Sequence, residues 1–367
     1  MSGLSCGIVG LPNVGKSTLY NALKGGGANA SNFPFCTIEP NVGIVPLPDK
    51  RLDQLAKVSS SEKIIPAAVQ FVDIAGLVKG ASQGEGLGNK FLQNIRECDA
   101  LLHVVRCFES DEIIHVHGKV DPLEDADVIS LELVLADVQM IDNILIKLKK
   151  QAKIKKDLLG EVELLQVMSA HLDEGAPLRT FTSTKTDLLK QVLGSYPFLT
   201  SKPLLYVANI DEDSLETPLN NPHYKALTLR AKEEHALILP LCCELESQIA
   251  TLDPQEREEM LEAMGLSQPG LQSLVQESFQ LLGLMTYLTT GPQETRAWTI
   301  EQNTKAPQAA GKIHSDLEKG FIKAEVVAFD DYIQLGRNGA KEAGKVRIEG
   351  KEYLVQDGDV ILFHHNI

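Results

Sequence analysis

The chain has 367 residues, 43% of them hydrophobic, and a formal net charge of −15. That length favours two or three domains with ordinary buried cores, and the apolar content excludes a disordered chain. The acidity excludes a protein that wraps nucleic acid over its whole surface, while leaving room for a local basic patch.

Residues 4–9 form a short apolar run suited to a buried strand, and it leads directly into Gly10-Leu11-Pro12-Asn13-Val14-Gly15-Lys16-Ser17. This fits the phosphate-cradling loop G-x-x-x-x-G-K-[ST] at every position, a match that chance supplies in about one chain in a hundred of this length. Glycines let successive backbone N–H groups turn inward around phosphate oxygens, Lys16 brings a point charge to the β/γ-phosphates, and the Ser17 hydroxyl can ligate Mg²⁺. Ser17 to Leu23 reads as the first turns of a helix aimed at the phosphates, so Asn13, Val14, Gly15, Lys16, Ser17 and Thr18 are the expected nucleotide-binding residues of this loop. Further on, Phe33-Pro34-Phe35-Cys36-Thr37 offers a loop threonine that can ligate Mg²⁺ when the γ-phosphate is present.

Residues 69–76 read as a second strand ending in D-x-x-G, which brings Asp73 to the Mg²⁺ shell and the Gly76 amide toward the γ-phosphate. Five glycines follow within residues 76–88, the composition of a segment that a nucleotide orders, or of a plain surface loop. Where Ras-like enzymes place a water-orienting glutamine stands Leu77. Leucine cannot hydrogen-bond water, so hydrolysis must be slow or must recruit a polar group from elsewhere. Residues 100–105 are the next strand. His115 follows in Ile113-Ile114-His115-Val116, and on the residues alone it is an ordinary histidine in an apolar run.

From Val128 to Leu172 the pattern turns helical: Leu131, Leu135, Val138, Ile141, Leu145 and Leu148 form one stripe, and Leu158, Val162, Leu165, Met168 and Leu172 a second. The two read as an antiparallel hairpin inserted between strands of the nucleotide domain. Residues 147–156 hold six lysines and no acid, a local reversal of charge that suits phosphate-backbone contact, with a solvated helix face as the plainer reading. No aromatic residue interleaves, so stacking on single-stranded bases is not indicated.

Residues 203–210 form another strand, ending in Asn209-Ile210-Asp211-Glu212 where a GTPase carries N-K-x-D. Ile210 occupies the lysine position and Glu212 the aspartate position; the extra methylene displaces the carboxylate by about 1.5 Å, which spoils a bidentate hydrogen bond to guanine. Residues 240–244 (Pro-Leu-Cys-Cys-Glu) replace the S-A-K guanine contact. From about Gly283 the chain is strand-rich and near neutral, with ten Lys/Arg against twelve Asp/Glu, the composition of a docking module. The six cysteines lack metal-ligand spacing and read as reduced, buried thiols; Cys36 sits in a polar loop with no visible activating partner. No apolar stretch approaches membrane-spanning length, so a cytoplasmic location is expected.

With these residues in hand, the sequence resembles the Obg-like ATPases, the YchF group of the translation-factor-class P-loop NTPases. The resemblance rests on Gly10 to Ser17, Asn32 to Asn41, Asp73 to Gly88, Asn209 to Glu212 and Ala306 to His314, and it covers the whole chain. It implies an α/β P-loop domain (1–127 and 200–282), an inserted α-helical coiled-coil hairpin (128–199) and a C-terminal β-grasp TGS domain (283–367). It implies ATP preference over GTP, a hydrophobic residue at the glutamine position as in Leu77, and His115 as the residue that positions water. Asn13 falls where related NTPases help bind K⁺. The implied activity is Mg²⁺-dependent hydrolysis of ATP by a switch that binds ribosomes or ribosomal RNA through the Lys147–Lys156 tip and the C-terminal domain. A nucleotide-gated binding module with negligible turnover, and an Obg-type GTPase, are the competing readings.

Overall fold

The computed structural model describes residues 4–26, 41–74, 86–116 and 118–366. They pack as two compact units, Met1–Gly43 with Gln70–Leu274, and Ile44–Val69 with Val275–Ile367. No helix among the described residues is long and apolar enough to cross a membrane.

In the first unit, β1 (Ser5–Val9) leads through the glycine loop to α1 (Lys16–Gly26). The chain then adds β2 (Val42–Pro46), passes through α2 (Lys50–Ser59) and β3 (Lys63–Ile65), which belong to the second unit, and returns as β4 (Ala68–Asp73). There follow α3 (Gly86–Glu97), β5 (Ala100–Arg106), α4 (Pro122–Ala152), α5 (Leu159–Asp173), α6 (Thr186–Ser195), β6 (Leu204–Asn209), α7 (Pro222–Glu233), β7 (Leu237–Leu241), α8 (Cys243–Ile249), α9 (Pro254–Ala263) and α10 (Gly270–Leu281). Strands β4-β1-β5-β6-β7 lie side by side in that order, all parallel. β5 and β6 are buried along their whole length, as a parallel sheet covered on both faces requires. Register places Ile8 beside Asp73, and Arg106 beside Asn209. The glycine loop, Asp73 and Asn209 therefore all leave the sheet at its carboxyl edge, where open α/β sheets bind ligands.

The helical insertion begins with Asp121, whose side chain accepts from the Glu124 amide, followed by Pro122 at the first helical position and Glu124 and Asp125 in the first turn. These are strong start signals, and α4 runs 31 residues from there, about 46 Å at the α-helical rise. The expected stripe holds only in its second half. Ile141, Leu145 and Leu148 share a core with Val162, Leu165, Met168 and Leu172 of α5, but Leu131 and Leu135 are 55% and 43% exposed. α4 also packs on β5 and α7, and in its first half Ala126, Ile129 and Leu133 are the buried apolar residues in place of Leu131 and Leu135, so the buried face rotates around the helix. The six tip lysines are exposed. Where the chain leaves the insertion, buried Asp137 accepts from the amides of Leu199 (2.9 Å) and Thr200 (2.8 Å) and from the Thr200 hydroxyl (2.7 Å).

The second unit adds β8 (Leu284–Thr290), β9 (Glu294–Glu301), α11 (Ala306–Ile313), α12 (Ser315–Lys319), β10 (Phe321–Val327), α13 (Phe329–Glu342), β11 (Arg347–Glu349) and β12 (Val360–His365). Its sheet runs β11-β10-β12-β8-β9-β3. The hairpin β8-β9 and the pairs β10-β11 and β10-β12 are antiparallel, while β8 and β12 are parallel neighbours at the centre. That is β-grasp order, with Ala306, Ala309 and Ala310 of α11 buried against Tyr287, Phe321 and Phe363. β3, from the amino-terminal third of the chain, extends the sheet in parallel with residues 294–296.

Candidate nucleotide-binding site

The loop between β1 and α1 holds two left-handed residues, Asn13 (φ 63°) and Gly15 (φ 98°). A side chain at Gly15 would be strained and would run into the Asn209 amide, and one at Gly10 would meet the Val104 carbonyl at 2.7 Å. Only glycine fits both places, and the backbone is left free to face a ligand. The Gly15 carbonyl accepts from the Leu19 amide at 2.9 Å, starting α1. No acid occupies the first turn of that helix, so its N-terminal dipole is unopposed toward an anion.

Lys16 Nζ forms an ion pair with Asp73 Oδ1 across the sheet edge. The two residues expected from separate motifs, 57 positions apart, therefore meet at one point. Ser17 is exposed and Thr18 half-buried on the same turn. Hydroxyl and carboxylate oxygens are the hard donors that Mg²⁺ takes, usually one or two from protein and the rest from phosphates and water. Among the described residues no group of three or more His, Cys, Asp and Glu gathers to hold a metal without a ligand's help. The donor set thus fits a divalent ion that arrives with a nucleotide. Thr37, Cys36, Gly76 and Leu77 lie outside the described residues, whereas Gly86 to Gly88, expected as the end of a loop, form the first turn of α3.

At the other end of the site, Asn209 is buried and donates from Nδ2 to the Val14 carbonyl at 2.9 Å, while its Oδ1 accepts from the Cys243 amide at 3.0 Å. Both ends of the amide are spent on joining the phosphate loop to the start of α8. Ile210 is 1% exposed and its amide donates to Leu241. Asp211 caps the short turn Glu212–Ser214 by accepting from the Ser214 amide at 2.9 Å. Glu212 is left exposed. No lysine stem is present at residue 210 to cover a base.

Asn13 Nδ2 donates to the Ile114 carbonyl at 3.2 Å, which brings the 113–116 segment against the phosphate loop. Ile114 is 79% exposed, but His115 is buried and its Nε2 lies 2.9 Å from Asp125 Oδ2 in the first turn of α4. Sequence reasoning missed Asp125, because an acid in a first helical turn reads as complementing the dipole. Cys6, Cys98, Cys107, Cys242 and Cys243 are buried and form no disulfide. Burial pushes Cys98 up to about 11 and Cys107 up to about 12, so they stay protonated and inert at neutral pH.

Two family models match the chain. One, described as a 50S ribosome-binding GTPase, covers residues 5–155, and a carboxy-terminal YchF GTPase model, described as a protein of unknown function, covers residues 284–366. The ribosome-binding ATPase YchF of Haemophilus influenzae is 52% identical over 367 residues, all of both chains. Its namesake in Bacillus subtilis is 50% identical, covering 99% of this chain and all of the relative. The structure of the Schizosaccharomyces pombe YchF GTPase, 33% identical, superposes with a TM-score of 0.87 over 99% of each chain. The complete phosphate loop, the altered base-reading residues and this full-length likeness agree: the chain belongs to the YchF family of P-loop NTPases.

Proposed function

We propose that this protein is an Mg²⁺-dependent ATPase switch, converting ATP to ADP and phosphate, that binds ribosomes in the cytoplasm. The observation that carries the reading is the meeting of Lys16 and Asp73 beside a glycine loop closed by Gly10 and Gly15. When bound, Mg²⁺ neutralises charge on the β/γ-phosphates, and Ser17, Thr37 and Asp73 are the residues that would hold it, directly or through water. Lys16 would then serve the phosphates, and Gly76 is the residue whose amide would meet the γ-phosphate.

His115 is the proposed water-positioning group, since Leu77 cannot do that work. Its segment already docks on the phosphate loop through Asn13 and Ile114, although the ring itself is held by Asp125. Asn13 is also the proposed contact for K⁺, whose charge near the phosphates would offset the missing polar group. ATP is favoured over GTP because Ile210 is closed to solvent and Glu212 carries one methylene too many for bidentate guanine recognition. Names of full-length relatives that say ribosome-binding ATPase support the same activity and partner. We assign the nucleotide domain to residues 1–127 and 200–282, and ribosome contact to the hairpin (128–199), through the Lys147–Lys156 tip, and to the β-grasp TGS domain (283–367).

Phosphate release from ATP, measured with and without 70S ribosomes, tests the reading. Ribosome-stimulated turnover is expected. Ribosome association that depends on ATP without turnover would replace the enzyme by a nucleotide-gated binding module, and turnover of GTP in preference to ATP would favour the GTPase reading, in keeping with the description of the Schizosaccharomyces pombe relative.

A further inference from the structure

Arg106 is the last residue of β5 and is 1% exposed. Its guanidinium donates to three carbonyls of the loop that follows, those of Phe108 at 3.0 Å, Ser110 at 3.3 Å and Ile113 at 2.9 Å. Asn13 takes the next carbonyl, that of Ile114, and the His115 carbonyl accepts from the Gly118 amide at 3.1 Å. The main chain is thus held on both sides of His115, and what remains to be set is the rotation of the ring. Asp125 sets it through the 2.9 Å contact with Nε2. The start of α4 does not call for Asp125, because Asp121 caps the helix and exposed Glu124 already complements the dipole in the same turn. Asp125 is instead 1% exposed, and burying a carboxylate is costly unless a partner offsets it.

We infer that Asp125 is a positioning residue for ATP hydrolysis: it holds His115 in one orientation and in the tautomer whose acceptor for the attacking water is Nδ1, on a backbone that Arg106 presets. A carboxylate only accepts, so Nε2 donates, and a neutral ring that donates from Nε2 can accept only at Nδ1. The partner of one ring nitrogen thereby decides the task of the other. A contact that merely stored the ring away would suit a segment able to swing, whereas Arg106 fastens this one at three carbonyls and Asn13 ties the next to the phosphate loop. This role rests on the water-positioning reading of His115 above and specifies how the ring is aimed.

The test is steady-state ATP turnover by the full chain with 70S ribosomes present, for the parent, Asp125→Asn, His115→Gln and the double variant, with ATP affinity from titration and urea midpoints to show that each is folded. An amide at residue 125 both donates and accepts, so it can hold either tautomer. Asp125→Asn should lower kcat about tenfold or more while KM and ATP affinity stay within about twofold, the mark of an interaction made in the transition state. In the His115→Gln background the same change should lower kcat no further, because the ring that Asp125 aims is gone; the glutamine amide still offers Asp125 a donor, which keeps the fold. Equal losses in both backgrounds would assign Asp125 to the fold alone, and a kcat above that of the parent would make it a restraint on the histidine; either overturns the inference. If His115→Gln is slow while Asp125→Asn turns over like the parent, the role of Asp125 fails by itself. If His115→Gln turns over like the parent, the water-positioning reading fails and this role with it, and a parent chain without turnover removes the ATPase reading and this role together.

Discussion

At the phosphate end of the site, Lys16 and Asp73 converge beside a loop whose left-handed Asn13 and Gly15 admit few other residues. At the base end, the residues that would read a purine are an amide committed to the backbone of Val14 and Cys243, an isoleucine closed to solvent and a glutamate in open water. The first end is built for one ligand chemistry, from one contiguous loop and a single carboxylate 57 positions away. The second is built to hold the phosphate loop in place and leaves base selection to what little remains. A nucleotide should therefore be gripped by its phosphates and only weakly sorted by its base.

Four substitutions can break or sharpen that contrast. The largest effect belongs to His115→Gln, which should lower ribosome-stimulated kcat by on the order of 10² to 10⁴, the range of a lost general-base contribution, with ATP affinity held within about twofold. A fall in affinity instead, seen by titration with ATP, would assign His115 to binding. Next, Lys16→Ala removes a charge-assisted phosphate contact and should weaken ATP and GTP alike by about a hundredfold, close to 2.7 kcal/mol. Unequal losses for the two nucleotides would contradict a phosphate-dominated grip.

Asn209→Ala leaves the Val14 carbonyl and the Cys243 amide without their side-chain partner. Urea unfolding should show a loss of about 2 kcal/mol, together with weaker binding of every nucleotide; an unchanged midpoint would mean that the amide joins nothing of consequence. The smallest effect is expected from Glu212→Asp. Shortening the side chain should raise GTP affinity by less than tenfold, because residue 210 still supplies no lysine stem. Replacing Ile210 by lysine is a poorer experiment, since an ammonium would start from a place only 1% exposed and burying it is costly.

The same contrast explains what could be read from the sequence. The phosphate loop, the strand ending at Asp73 and the alternating β and α pattern are local, so eight contiguous residues and short apolar runs were enough to place them. The tip lysines were legible for the same reason, being a run of charge. What escaped depends on contacts between distant residues. Nothing near Asp125 announces that it will hold His115, and nothing in Lys63-Ile64-Ile65 announces a parallel partner in residues 294–296. The apolar stripe of α4 was drawn as one seam, but the buried face rotates around the helix, and Leu131 and Leu135 turn to solvent. At Asn209 the residue type was recognised while its task was not visible, because Val14 is 195 positions away.

The account's central claim is an ATP-preferring phosphate grip, and equilibrium binding of ATP and GTP to the purified protein with Mg²⁺, first in K⁺ and then in Na⁺ buffer, tests it most directly. The account predicts tighter binding of ATP than of GTP, with affinity falling when Na⁺ replaces K⁺ beside Asn13. A tenfold preference for GTP, about 1.4 kcal/mol, would contradict the reading of Ile210 and Glu212 and put a GTPase in its place.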